Sequence, residues 1–339
     1  MQIRDYMQKI SKYRAHIMGF CILDVLIGHS GMIFRSGPIS YLTSLLWVID
    51  IFFFMTGLGA YYSLNKNPEV LPFYKRRFMR VYPYYLPAAI IYFIPLFVLY
   101  TNADTLFMRI QELLGSVFLV GWVSANLDNQ FNWYIHALMV FYLASPLLVF
   151  LVKSFEGSTK KLIMLLAFFC VTQICFIGSG FLVAYSRTIA FVMGIIAADC
   201  AVRGKNFRLN VPIMLALWVV GNLIAYYAQA MPTELGMHYG ILWYPGLLVI
   251  PGMMLILSWI FEFCSRYKAL NWVSRLFSLL GEHSLEIYIF NILIYDVLAR
   301  CLVEIENNWL WLVLAIAIGI AAIFYGKLIT WLLNRKKTA

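Results

Sequence analysis

Three groups of residues in this sequence carry chemistry that an apolar chain does not tolerate without reason. The first lies near the N-terminus, where Arg14, Asp24 and His29 punctuate one hydrophobic run. A histidine titrates near neutrality, so His29 suits a general base that takes a proton from a hydroxyl. A helix-end histidine bonded to a loop carbonyl is the structural alternative. Arg14 and His29 are ~22 Å apart along a helix at 1.5 Å per residue. Asp24 falls about 140° round that helix from His29, so the two do not form a dyad within one helix. The second group is Phe73-Tyr74-Lys75-Arg76-Arg77-Phe78-Met79-Arg80-Val81-Tyr82-Pro83. Arg76 and Arg80 are i, i+4 and Arg77 is i, i+3 from Arg80, so three planar guanidinium groups share one side of a helix. Such groups suit a polyphosphate, and equally an anionic lipid surface. The third group is Asp50, Arg187 and Glu286, charges inside apolar runs, where each costs several kcal/mol and marks a functional candidate. Glu286 and Asp296 are partners for Arg187 by type. Asp50 either pairs with an arginine or caps its helix. Trp133 and His136 follow Asn132 at the start of another run, as an aromatic belt or as part of a site.

The elements that must position these residues are long apolar helices. Of 339 residues, 63% are hydrophobic and 12% charged, against about 25% charged in an average soluble domain. The apolar residues come in runs of about 18 or more, the length that crosses a bilayer as helix. This excludes disordered, collagen-like, disulfide-scaffold and ordinary soluble globular classes. We read an all-α, polytopic transmembrane bundle of about ten spans: 16–34, 44–63, 82–100, 133–152, 162–179, 181–201, 211–229, 240–262, 284–301 and 308–333. The chain forms a single membrane domain over 1–339. The formal net charge is +10, but the basic residues flank the spans and form no single patch, which speaks for membrane orientation and against nucleic acid as a partner. With both termini cytoplasmic, the basic loops after spans two, four, six and eight all fall on the inner side. Residues 112–123 are apolar but too short to span. Residues 101–132 are therefore one outer loop with a re-entrant or interfacial helix, either a lid or a packing plug. The cysteines have no metal-ligand spacing, and no HExxH, GxSxG or P-loop motif occurs, so no metal is expected.

Taken in order, several stretches resemble the acyltransferase 3 family of integral membrane acyltransferases. Tyr13-Arg14, Met18-Gly19 and His29 are similar to that family's first span. Asp50-Ile51-Phe52-Phe53-Phe54-Met55-Thr56-Gly57 is similar to its second, with Thr56 in place of a serine. Arg80-Val81-Tyr82-Pro83 resembles the end of its basic motif. Asn132-Trp133-Tyr134 with Tyr142 to Pro146, then Arg187 with Phe191 and Gly194, then Gly281, Ser284 and Tyr288 resemble three later motifs. One departure stands out: many relatives carry a histidine shortly after that last tyrosine, where this chain has Phe290-Asn291.

The resemblance implies transfer of an acyl group, acetyl or succinyl, from an acyl-coenzyme A thioester (acetyl-CoA foremost) to a hydroxyl of a surface polysaccharide or lipid-linked glycan. It implies a multi-pass protein of the inner or plasma membrane whose partners are lipid, the glycan acceptor and the thioester, and leaves homo-oligomerisation open. Under it Arg14, Arg76, Arg77 and Arg80 hold coenzyme A phosphates. His29 deprotonates the acceptor or carries the acyl group, Arg187 and Glu286 orient His29 or stabilise the oxyanion, and Asp50, Trp133 and His136 contact substrate. The alternative is a multi-span transporter or flippase of a glycan, lipid or acidic solute. It accounts for the spans and buried charges but gives no particular reason for the clustered arginines.

Overall fold

The computed structural model describes residues 1–30, 47–100, 102, 105–120, 132–204, 208–229, 231, 233–300 and 308–338. Among these the chain is helical, with one isolated bridge between Gln2 and Arg208. The main helices are α1 (Ile3–Lys12), α2 (Arg14–Ser30), α3 (Val48–Lys66), α4 (Val70–Tyr100), α5 (Leu106–Val117), α6 (Trp133–Ser154) and α7 (Thr159–Thr172). They continue with α8 (Thr188–Val202), α9 (Val211–Gln229), α10 (Gly246–Arg266), α11 (Asn271–Glu282), α12 (Ser284–Arg300) and α13 (Asn308–Thr338).

Seven helical stretches among the described residues are long and apolar enough to cross a membrane, or eight if α11 and α12, bent by 72°, form one broken span. The two expected spans that do not meet this measure fall on α2, with 17 residues, and α3, which carries Asp50 and Lys66. Residues 31–34, 44–46 and 301 of the expected spans lie outside the described residues. A helix enclosed by other helices need not be apolar all round, since protein rather than lipid meets its polar groups. α3 fits that description, with Asp50, Phe53, Met55, Gly57 and Tyr61 all buried. α7 and α9 are peripheral: their apolar windows are 11% and 22% buried, against 72% for Leu182–Val202.

Glycine contacts set how closely the central helices approach. A Cβ on Gly57 would lie 2.0 Å from the Phe191 carbonyl oxygen, and one on Gly194 would lie 2.1 Å from that of Phe54. α3 and α8 therefore meet backbone to backbone, as small residues allow in membrane bundles. They run parallel and in register: Asp50 faces Arg187, Gly57 faces Gly194, and the Tyr61 hydroxyl donates to Asp199 at 2.7 Å. A second crossing joins α2 to α11. There Cβ atoms on Gly19 and Gly281 would each lie 1.8 Å from a backbone oxygen, of Phe277 and Ala15 respectively.

Basic ends of several helices gather at one end of the bundle. The N-terminal amine donates to the Leu209 carbonyl, Lys9 pairs with Glu262, and Arg203 donates to the Lys153 carbonyl. α5 falls within the stretch expected as an outer loop, and it folds back along α4. The hydroxyls of Tyr82 and Tyr85 donate to the carbonyls of Val117 and Ser116, at 2.9 and 3.2 Å. Tyr85 is ~22 Å along α4 from Tyr100, so α5 returns most of the way toward the basic segment. Residues 121–131 of that loop lie outside the described residues.

Candidate active site

The second turn of α4 carries the basic segment to a crevice between α2, α3, α6 and α12. A cavity of about 60 Å³ there is lined by Arg14, Arg77 and Arg80, by Thr56, Tyr134, Tyr142, Ser284 and Tyr288, and by apolar side chains including Met18 and Phe52. At roughly 10–15 Å³ per water it has room for a handful of waters. Arg77 donates to the Gly59 carbonyl at 2.7 Å, and its guanidinium lies 5.2 Å from the ring centres of both Phe73 and Tyr142. Gly59 borders the same space: a Cβ there would make only ordinary contact, 3.6 Å from Arg14 Nη2 and 3.8 Å from Arg77 Nη2. The three guanidinium groups are close enough to repel one another. Among the described residues none of them has a carboxylate within 4.0 Å. Glu286 is near enough for its charge to be felt by Arg80 without forming a pair. Three convergent, unmatched guanidinium groups in a partly enclosed cleft fit a polyanion. Arg76 does not join them. It turns toward the Ser63 hydroxyl, 3.4 Å away on the exposed side, because adjacent helical residues point about 100° apart.

His29 is reached from this cavity through aromatic rings. Tyr134 and Tyr288 both line it, with ring centres 4.7 Å apart, and Tyr288 meets the His29 ring edge-on at 6.2 Å. α2 is continuous from Arg14 to Ser30, so it carries the arginine and the histidine ~22 Å apart as the spacing required. Beside His29 lies Asn291, the position where the sequence departs from the family pattern. The Asn291 amide is close enough to bond the imidazole, while His29 Nδ1 and both Asn291 polar atoms are buried without a well-formed hydrogen bond among the described residues. Buried polar groups are rarely left so, and where they are a ligand or function is often the reason.

The other expected site residues are not brought to His29. Arg187 does not pair with Glu286 or Asp296. Its Nε lies 3.3 Å from Asp50 Oδ1, both groups being buried, and its guanidinium lies 5.4 Å from the Trp243 ring centre. The register of α3 on α8 dictates this choice. Asp296 instead accepts a hydrogen bond from Tyr92. Glu286 faces α13, its carboxylate 3.0 Å from where a Cβ on Gly326 would be and 4.0 Å from His283 Nδ1. It is about 200° round α12 from Tyr288, so it does not share the face that meets His29. His136 is fully buried, its Nε2 3.1 Å from the Tyr85 hydroxyl, and so helps tie α6 to α4 and α5. Trp133 stacks edge-on against Tyr134. Asp50, Trp133 and His136 do not line the cavity. Tyr134, read from the sequence as an interfacial aromatic, is packed against Phe52, Phe53 and Tyr288. Tyr134 and Tyr288 were visible only as members of motifs, without a role.

These features define a class: a polytopic helical membrane protein with an arginine-lined cleft that leads, through two tyrosines, to a buried histidine. The model of an acyltransferase domain family, Acyl_transf_3, matches residues 17–329, nearly the whole chain. The chain belongs to the acyltransferase 3 family and is a membrane acyltransferase. No curated protein and no solved structure matches it. Four glycines from the motifs that carried the resemblance, Gly19, Gly57, Gly194 and Gly281, are the four at the two close helix crossings.

Proposed function

We propose that this protein transfers an acyl group, acetyl or succinyl, from acyl-coenzyme A to a hydroxyl of a surface polysaccharide or lipid-linked glycan. The observation that carries this reading is the convergence of Arg14, Arg77 and Arg80, unmatched by any carboxylate, on a cavity whose far wall touches His29. In this reading the three arginines bind the coenzyme A diphosphate at the cytoplasmic end. The chain crosses the inner or plasma membrane about ten times with both termini inside, which puts the basic end in the compartment that supplies the thioester. The pantetheine arm runs along α2, and the rings of Tyr134 and Tyr288 part to let the thioester reach His29.

His29 accepts the proton of the acceptor hydroxyl as its oxygen attacks the thioester carbonyl. The tetrahedral oxyanion then collapses, the C–S bond breaks, and the proton passes from His29 to the departing thiolate. Asn291 stands where its amide can orient the imidazole. The Arg187–Asp50 pair holds α3 on α8 and so shapes the wall opposite α2. Glu286 tempers the positive charge at Arg80. Trp133 and His136 position the start of α6, and with it Tyr134.

The test is turnover. Purified protein in lipid is given acetyl-coenzyme A with a hydroxylated glycan, and free thiol and acylated glycan are followed together. The His29→Ala variant is expected to keep the wild-type melting temperature and coenzyme A binding while losing turnover. A folded His29→Ala variant that turns over normally contradicts the role given to His29. Glycan flux across vesicles without covalent change favours a transporter instead.

A further inference from the structure

A second cleft has a mixed lining, and nothing in the transfer chemistry above uses it. It has a volume of about 590 Å³, with Arg4, Gln8, Ser11 and Lys12 of α1 and Tyr62 of α3 on its polar side and Met7, Ala201 and Val202 on its apolar side. α1 buries Ile3, Tyr6, Met7 and Ile10 against the bundle. Its opposite face, at i, i+4, i+7 and i+8, is Arg4, Gln8, Ser11 and Lys12. The helix is held from three sides: the Met1 amine on Leu209, the Tyr6 hydroxyl on the Pro251 carbonyl at 2.9 Å, and the Lys9–Glu262 pair. Lys9 is thus matched. Arg4 and Lys12 have no carboxylate within 4.0 Å among the described residues. Lys12 Nζ lies instead 5.1 Å from the ring centre of Tyr13.

The walls of this cleft come from chain segments next to those of the arginine cavity. Lys12 is two residues before Arg14, and Tyr62 is about one turn beyond Gly59, against which Arg14 and Arg77 lie. A ligand with its diphosphate on those arginines therefore has its next charged group within reach of α1.

We propose that the cleft is the subsite for the adenosine 3′-phosphate end of coenzyme A, with Arg4 and Lys12 on the phosphomonoester and the Tyr62 ring against the purine. This rests on the reading of the arginine cavity as the diphosphate site. A phosphomonoester is a compact dianion that two unmatched cations and the donors of Gln8 and Ser11 satisfy. Tyr62 is 36% exposed and borders the cleft, with its ring at a T-shaped 6.2 Å from that of Tyr61. The same chemistry would recognise an anionic lipid headgroup, so the experiment separates the two sources.

Full-length protein in phosphatidylcholine nanodiscs is titrated with coenzyme A and with 3′-dephospho-coenzyme A, as wild type and as Arg4→Gln/Lys12→Gln. The wild type is expected to bind coenzyme A about tenfold to a hundredfold more tightly, the range that charge-assisted hydrogen bonds support. The double variant is expected to lose that preference while its affinity for the dephospho form is unchanged. A wild type that binds both forms equally overturns the subsite and leaves the diphosphate reading standing. So does a double variant that keeps the preference but binds phosphatidylglycerol vesicles more weakly, since the stripe then serves the membrane. Failure of the wild type to bind either form overturns both readings.

Discussion

Arg187 and Arg77 are both arginines held inside a helical bundle, but their surroundings differ in kind. Arg187 meets an acid: Asp50 is 3.3 Å away, the pair is buried, and Trp243 covers it. Arg77 meets a backbone carbonyl and two aromatic rings, and its nearest charges are other arginines. Charge that is matched inside the fold belongs to the fold. Removing one partner leaves the other buried and alone, and the cost falls on stability. Charge that is left unmatched in a cleft is held ready for something outside the chain, and its removal costs binding instead. Arg187 is therefore assigned to holding helices together and, in the proposed reading, Arg77 to holding a ligand.

The largest expected effect is at the matched end. Arg187→Ala strands Asp50 and is expected to cost about 3–5 kcal/mol, read as a collapse of folded yield or a large fall in melting temperature. Arg187→Ala/Asp50→Ala should recover most of that loss. A double variant no better than the single one would show that the pair is not what Arg187 supplies. Next is the glycine crossing on the same two helices. Gly57→Ala drives a Cβ to 2.0 Å from a backbone oxygen, so at least about 1–3 kcal/mol is expected in a detergent melt. Gly59→Ala, two residues on, makes only ordinary contact at 3.6 Å with a flexible guanidinium and should fold normally. Similar melting temperatures for both would break the assignment of α3's two faces.

At the unmatched end, Arg77→Gln should leave the melting temperature within about 1 kcal/mol of wild type or raise it slightly, because it relieves repulsion. It should weaken coenzyme A binding by roughly tenfold to a hundredfold. The smallest effect is expected one residue earlier. Arg76→Gln removes an exposed side chain outside the cavity and should change stability by less than about 0.5 kcal/mol and coenzyme A affinity by less than about threefold. Equal losses at Arg76 and Arg77 would mean the segment acts as a diffuse basic anchor and not as a shaped site.

Helical periodicity carried much of this into view from the sequence. The spacing of Arg14 and His29 along one helix held because α2 is unbroken. The same geometry makes Glu286 a poor companion for His29, since Glu286 and Tyr288 lie on opposite faces of α12. That phase difference became decisive only once the fold placed Tyr288 against His29. The partner of Arg187 was equally out of reach, because it depends on how α3 registers against α8. The only local hint was that Gly57 and Gly194 both sit in the motifs. That Arg77 turns inward while its neighbour Arg76 turns out was likewise set by the surroundings, through the Gly59 carbonyl, Phe73 and Tyr142. Trp133 and Tyr134 read as a membrane-interface belt because they begin a helix, with His136 as a candidate for the site. The fold buries Tyr134 against Phe52, Phe53 and Tyr288, and His136 against Tyr85. The span count has a plainer cause: the described part of α2 ends at Ser30 with 17 residues, and α3 carries Asp50 and Lys66, so neither reaches the measure of apolar length.

The central claim is that the unmatched arginines form a polyphosphate site. Calorimetric titration of coenzyme A into the reconstituted wild type, Arg77→Gln, Arg14→Gln/Arg77→Gln and Arg76→Gln tests it most directly. The account predicts saturable binding by the wild type and Arg76→Gln, tenfold or greater weakening in Arg77→Gln, and loss in the double variant, with all four proteins folded. Equal binding by wild type and the folded double variant, or no binding by any of them, would contradict it.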